Sequence, residues 1–359
     1  MKARLERSLG MGLRAGRTAQ ILMDSAVSGH RARNVRLADD QVVVIGPWLS
    51  EIGFELLYWI PWLNSLKKVL ELPADRIVAI SRGGADAWYG DICGRYIDIF
   101  DFMSAEELKQ RQEQRIAASG GQKHMGLSEL DEYILREARE QHGIGDPILL
   151  HPSLMYKHFR PAWLRRQSVS AVFRHSGYRA LRKRDPVEEQ IKGLPERYVA
   201  VKAYFSSCLP EDDANITMMR TLIERLAANT DVVLLSTGLD IDDHHELGGA
   251  ENVYDASSIM TPRNNLAVQT CIIRRADAFV GTYGGFSYLA PFLGRPSLSF
   301  FSEENFNSVH LDVMRRAVQR LRRQYPDGQP EFTAMRTTDL PLIDLLALRP
   351  DAGPTTSNH

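Results

Sequence analysis

The chain has 359 residues, 44% of them hydrophobic and 25% charged, with a formal net charge of -1. That length suits two domains rather than one core, and the composition is ordinary for a soluble globular protein. The balanced charge makes no demand for nucleic acid, and three scattered cysteines (Cys93, Cys208 and Cys271) without a CxxC pair argue against a zinc site or a disulfide framework and fit a reducing cytoplasm.

In chain order, residues 1–38 are basic, with Lys2, Arg4, Arg7, Arg14 and Arg17. They lack the apolar stretch and cleavage site of a secretory signal. They read as an extension, either loosely docked or lying against a membrane surface. No apolar run is long enough to span a bilayer.

The first domain is expected over 39–190. Residues 41–46 are apolar on both faces, as in a buried parallel strand. A loop at 47–53 and an apolar helix from 54 to about 70 follow, then a second strand at 76–81. Residues 104–142 read as solvent-facing helix, and 147–150 as a strand. Lys157, Arg160, Arg165, Arg166, Arg174, Arg179, Arg182, Lys183 and Arg184 then accumulate with no acidic residue among them, interleaved with Phe159, Trp163, Phe173 and Tyr178. This basic insertion, 157–184, reads either as a solvated helical segment or as a surface for an anionic acceptor, a lipid-linked glycan or a membrane. It contains no recognised nucleic-acid module.

The second domain is expected over 191–345, with strands at 198–205, 231–237, 252–255, 278–281 and 297–301. Helices are expected at 211–228, 264–275, 287–293 and 307–323. The tail, 346–359, is rich in Pro, Gly, Ser and Thr and reads as flexible. The fold class is α/β: two Rossmann-like domains facing a cleft, with ligands at the carboxyl ends of the strands.

The turn Gly281-Thr282-Tyr283-Gly284-Gly285-Phe286-Ser287 joins a buried strand to a helix. Its glycines allow close backbone approach, and the helix start offers free N–H groups and partial positive charge for a phosphate. A tight turn without a ligand would use the same residues.

Residues 279–302, FVGTYGGFSYLAPFLGRPSLSFFS, resemble the donor-binding segment of GT-B glycosyltransferases, bacterial heptosyltransferase-like and surface-polysaccharide enzymes above all. Ala290-Pro291 and Leu293-Gly294-Arg295-Pro296 stand where that family has its "AP…LG.P" element. The resemblance implies that Thr282, Tyr283, Gly284, Gly285 and Ser287 touch a nucleotide-sugar donor. It also implies that a basic residue near Lys202 pairs with the donor phosphate and that the loop at Arg263 and Asn264 meets the base or ribose. Lys202, Tyr204 and Ser206 are expected on one strand face. Ser236, Thr237 and Gly238 end the next strand, where they line a nucleotide pocket or cap a helix. Asn264 is equally suited to capping its helix.

Residues 46–64 also resemble such enzymes. An inverting transfer needs a base for the acceptor hydroxyl, and Glu51, then Glu55, are the candidates. A helix-capping pair is the alternative for both. Arg82, in Ser81-Arg82-Gly83-Gly84, is expected to meet acceptor or phosphate, or to be a solvated turn residue; His310 is a further candidate contact. His244 and His245 with Asp240, Asp242 and Asp243 read as a solvated loop rather than a metal site, and no metal or other cofactor is expected. The expected activity is metal-independent glycosyl transfer from a nucleotide-sugar to a saccharide or lipid-linked glycan, in bacterial surface-polysaccharide synthesis, at the cytoplasm or the inner membrane face. A nucleotide-sugar epimerase and a non-catalytic sugar or nucleotide binder are the alternatives.

Overall fold

The computed structural model describes residues 41–119, 125–182, 186–235, 252–304, 306–325 and 330–342. They fall into two compact units, the first ending at Tyr178 and the second beginning at Arg179.

The first unit is built on four parallel strands, β1 (Val43–Ile45), β2 (Ile77–Ser81), β3 (Arg95–Asp98) and β4 (Ile148–Leu150), in the order β3-β2-β1-β4. Val43 pairs with both Ile77 and Ile148, so β1 is central and buried throughout, and its continuous Val/Ile run reflects this. One core group joins Val44, Val78, Ile80 and Ile97 to Leu130, Ile134 and Ala138. Those last three come from the helix Glu129–His142, so the segment expected to face solvent supplies part of the core. It is in fact two helices, Ala105–Ser119 and Glu129–His142. The second starts at a capping box in which Ser128 and Asp131 satisfy each other's backbone N–H groups.

The second apolar group of this unit is aromatic. Phe54, Tyr58, Trp59 and Trp62 project from a helix made of Ile52–Phe54, a π-helical turn Glu55–Trp59, and Ile60–Leu70. Trp48 stacks on Trp59 (5.8 Å between centroids), Phe54 on Tyr156 (5.6 Å), and Tyr58 meets Trp163 edge-on (4.9 Å). Phe159, Trp163, Phe173 and Tyr178 are all buried. The aromatics interleaved with the basic residues are therefore core, while Lys157, Arg160, Arg165, Arg166, Arg174, Arg179 and Arg182 face solvent.

The second unit has six parallel strands: β5 (Tyr198–Lys202), β6 (Asp231–Leu234), β7 (Val253–Asp255), β8 (Ala278–Thr282), β9 (Ser297–Phe301) and β10 (Phe332–Arg336). Their order is β10-β9-β8-β5-β6-β7. Read from β7, this is the doubly wound dinucleotide-type order, which reverses direction between β5 and β8. β10 was not expected from sequence. It pairs only with β9 and has no fully buried residue, so it lacks the buried run that marks the inner strands. Residues 180–182 already belong to this unit: Leu181 N–H donates to Phe292 O (2.8 Å) and Ala180 N–H to Gln324 Oε1 (3.0 Å). The chain thus changes unit inside the basic stretch, earlier than the junction expected near residue 190.

No helix among the described residues is long and apolar enough to cross a membrane. The extension 1–38, the tail 346–359, Lys183 and Arg184 lie outside the described residues.

β5 and β8 pair closely, Lys202 opposite Gly281. A Cβ at Gly281 would run into the Lys202 carbonyl, with the carbonyl carbon only 3.0 Å away. Gly281→Ala should therefore cost about 1–3 kcal/mol. It should appear as a lower urea midpoint at unchanged m-value; an unchanged midpoint would mean the strands can separate without loss.

Candidate functional site

The strand order directs attention to the ends of β5 and β8, where the loops after them diverge. β5 stops at Lys202, so Tyr204 and Ser206 lie in the following loop and not on a common strand face with it. The Thr282 hydroxyl fastens that loop. It donates to Tyr204 O (2.7 Å) and accepts from Tyr204 N–H (3.0 Å). Ser206 Oγ sits 3.2 Å from Cys208 Sγ, and Cys208 in turn reaches Tyr283 O (3.5 Å).

Gly284 has φ 157° and ψ -154°, a conformation for glycine alone, and a Cβ there would collide with the Tyr204 hydroxyl. The Ser287 hydroxyl closes the turn, donating to Gly284 O (2.7 Å) and accepting from Gly284 N–H (3.1 Å). The helix Gly285–Phe292 starts at once. The N–H groups of Gly285, Phe286 and Ser287 have no acceptor among the described residues. These orphan donors carry the positive end of the helix dipole and suit an anion.

Lys202 stands behind this turn. It is 2% exposed. Its ammonium donates to Leu235 O (2.9 Å) and Gln269 Oε1 (2.8 Å) and lies 4.4 Å from the centroid of the Phe286 ring. A cation so placed acts on the turn through its field rather than by open contact. Gln269 escaped the sequence reading. Its signal is a side-chain amide in the middle of the wholly buried run 265–273 of the helix Asn265–Arg275, where it also donates to Asn265 O (3.1 Å).

The other expected donor contacts divide. Tyr283 is buried among Tyr288, Phe301, Phe306 and Phe332, its hydroxyl accepting from Tyr288 (2.9 Å). Burial raises that phenol to about 12, so its side chain is core and only its backbone serves the turn. The Asn264 side chain accepts from Thr261 N–H (2.6 Å) and donates to Gln190 Oε1 (3.0 Å), holding a loop instead of capping its helix. Arg263 is exposed beside it. His310 is half-buried in the first turn of the helix Ser308–Arg322. Ser236, Thr237, Gly238 and the Asp240–His245 run lie outside the described residues. Among the described residues no three His, Cys, Asp or Glu side chains gather where they could hold a metal ion.

In the first unit, the loop after β1 is tied down carbonyl by carbonyl. Arg82 donates to Trp48 O (3.2 Å) and Ser50 O (2.9 Å), Gln112 to Leu49 O (2.8 Å), and Ser50 Oγ meets Tyr156 Oη (3.0 Å). Arg82 is thus a loop clamp, not a solvated turn residue. Glu51 ends this rigid loop at the N-cap position, exposed, although its side chain makes no capping bond. Glu55, the second candidate base, is not exposed as Glu51 is. It is fully buried in the π-turn, accepting from Ser81 Oγ (2.8 Å) and Tyr89 Oη (2.5 Å) on Oε1, while Oε2 has no hydrogen-bond partner. Burial raises its carboxyl to about 7, against the opposing pull of Arg82 and the two hydroxyls.

Neither a family model nor a curated protein matches the chain. Among solved structures it is similar to a glycosyl transferase family 9 protein from Veillonella parvula (13% identity, TM-score 0.46, covering 85% of this chain and 88% of that one). It is also similar to the E. coli ADP-heptose lps heptosyltransferase II (13% identity, TM-score 0.42, 74% and 86%). A third similarity is to a putative UDP-N-acetylglucosamine 2-epimerase from Listeria monocytogenes (14% identity, TM-score 0.39, 86% and 88%).

Glu55 makes a prediction about pH. Its folded pKa, about 7, lies above the ordinary 4.5, so the folded chain keeps a proton that the unfolded chain releases. Stability from this group is therefore present at low pH and lost as pH rises through 7, by on the order of 3 kcal/mol. Glu55→Gln keeps the acceptor for Ser81 and Tyr89 without the charge. It should raise the melting temperature at pH 8 and leave it unchanged near pH 4; equal melting of both proteins at pH 8 would contradict the buried, neutral carboxyl.

Proposed function

We propose that this protein is a GT-B-type glycosyltransferase that moves a sugar from a nucleotide donor to a saccharide or lipid-linked glycan, with the second unit holding the donor. One observation carries the reading. At the strand-order reversal between β5 and β8, three N–H groups without acceptors open the helix Gly285–Phe292, with the Lys202 ammonium behind them. The resemblance of residues 279–302 to family donor segments supports it independently.

In this mechanism the acceptor oxygen attacks the anomeric carbon and the bond to the donor diphosphate breaks. Negative charge grows on the leaving phosphate, where fixed amides and a buried cation stabilise it without a metal. The hydroxyls of Thr282 and Ser287 shape the turn, and the amides of 285–287 meet the phosphate. Glu51, held on a rigid loop and exposed, is the candidate to take the acceptor proton. Glu55 is too buried for that part. The acceptor class we assign is a bacterial surface glycan, built on the cytoplasmic side of the membrane.

Differential scanning with UDP-, GDP-, ADP- and CMP-sugars tests donor binding. At a hundredfold excess over Kd the matching donor should stabilise the fold by about 2.7 kcal/mol, and no shift with any of the four would sink the proposal. Gly285→Pro removes one N–H at the helix position where proline is best tolerated. It should weaken donor binding about ten- to a hundredfold with the fold intact; unchanged affinity would remove the amides from the site. Glu51→Gln should bind donor as before and lose transfer, and full transfer activity would rule Glu51 out as base.

A further inference from the structure

We propose that the basic face of the helix Pro152–Trp163 docks the protein on an anionic lipid bilayer. Residues 147–184 contain no acidic side chain. The helix is divided lengthwise: Met155, Tyr156, Phe159 and Trp163 are buried, while Lys157 and Arg160 are exposed. Leu164 caps the helix and is 47% exposed, one of few large apolar side chains so placed among the described residues. At 100° per residue, positions 157, 160 and 164 share a narrow arc about 10 Å long. Arg165 and Arg166 follow it directly, both exposed, and Arg174 is exposed on the neighbouring short helix Ser170–Arg174. Lys157, Arg160, Arg166 and Arg174 form no ion pair with any described residue.

Lys157, Arg160, Arg166 and Arg174, set around an exposed leucine, match the chemistry of a bilayer surface. The charges meet anionic headgroups, and the leucine enters the boundary beneath them. A soluble polyanion would use the charges and leave Leu164 idle. The buried aromatic face packs against Trp48, Phe54 and Tyr58, so the basic face is presented rigidly. This docking does not depend on which reaction the protein catalyses.

The test is sedimentation of the full-length chain with vesicles of phosphatidylglycerol and phosphatidylcholine, against phosphatidylcholine alone, at low and raised salt. Wild type should bind only the anionic vesicles and be released by salt. Arg160→Glu/Arg166→Glu should bind them at least about 25-fold more weakly, about fivefold for each charge lost, with unchanged melting because both residues are exposed. Leu164→Ser should weaken binding to the anionic vesicles at low salt. The proposal is overturned if the double variant binds like wild type, if phosphatidylcholine alone is bound equally, or if Leu164→Ser has no effect. Retention on immobilised heparin without vesicle binding also overturns it, in favour of a soluble polyanion.

Discussion

The second unit depends on how closely β8 can lie against β5. Gly281 has no side chain, so its strand rests against the Lys202 carbonyl. That contact sets the turn after β8 beside the loop after β5, near enough for Thr282 to bind both backbone groups of Tyr204. Tyr204 then fills the space a Cβ on Gly284 would need, and the chain turns in a glycine-only conformation into its helix. The acceptor-free amides follow from this sequence of steric fits, and Lys202 lies behind them because it ends β5, the strand paired with β8.

The first unit solves a related problem with side chains. Its loop after β1 is held by Arg82, Gln112 and Tyr156, which take up the carbonyls and hydroxyl that would otherwise face water. The π-turn beneath it carries Glu55 into an apolar setting, where its proton is retained near neutral pH. π-turns often occur where a helix is bent to function. Here the turn separates two carboxylates four positions apart into one buried and one exposed, and so divides their chemistry.

Much of this could be read from the chain. The inner strands β1, β2, β5 and β8 are mostly apolar because both their faces are covered, and the helices between them follow 3.6-residue spacing. The edge strand β10 lacks that signature. The π-turn has no sequence mark, since it differs from an α-helix by a one-residue shift in hydrogen-bond register and not by composition. Lys202 was conspicuous as a charge in an apolar strand, but its partner Gln269 is 67 residues away and pairing at that distance is a property of the sheet. The interleaved aromatics of 157–184 misled for a similar reason: a helix buried on one face and basic on the other has the same composition as a mixed interface.

The central claim is that a donor diphosphate sits on the amides of residues 285–287. The most direct test is the backbone amide spectrum of the labelled protein during titration with UDP, GDP, ADP and CMP. The account predicts that the Gly285, Phe286 and Ser287 resonances move together and saturate with one of these nucleotides. A nucleotide that saturates the protein while leaving all three unmoved would contradict it.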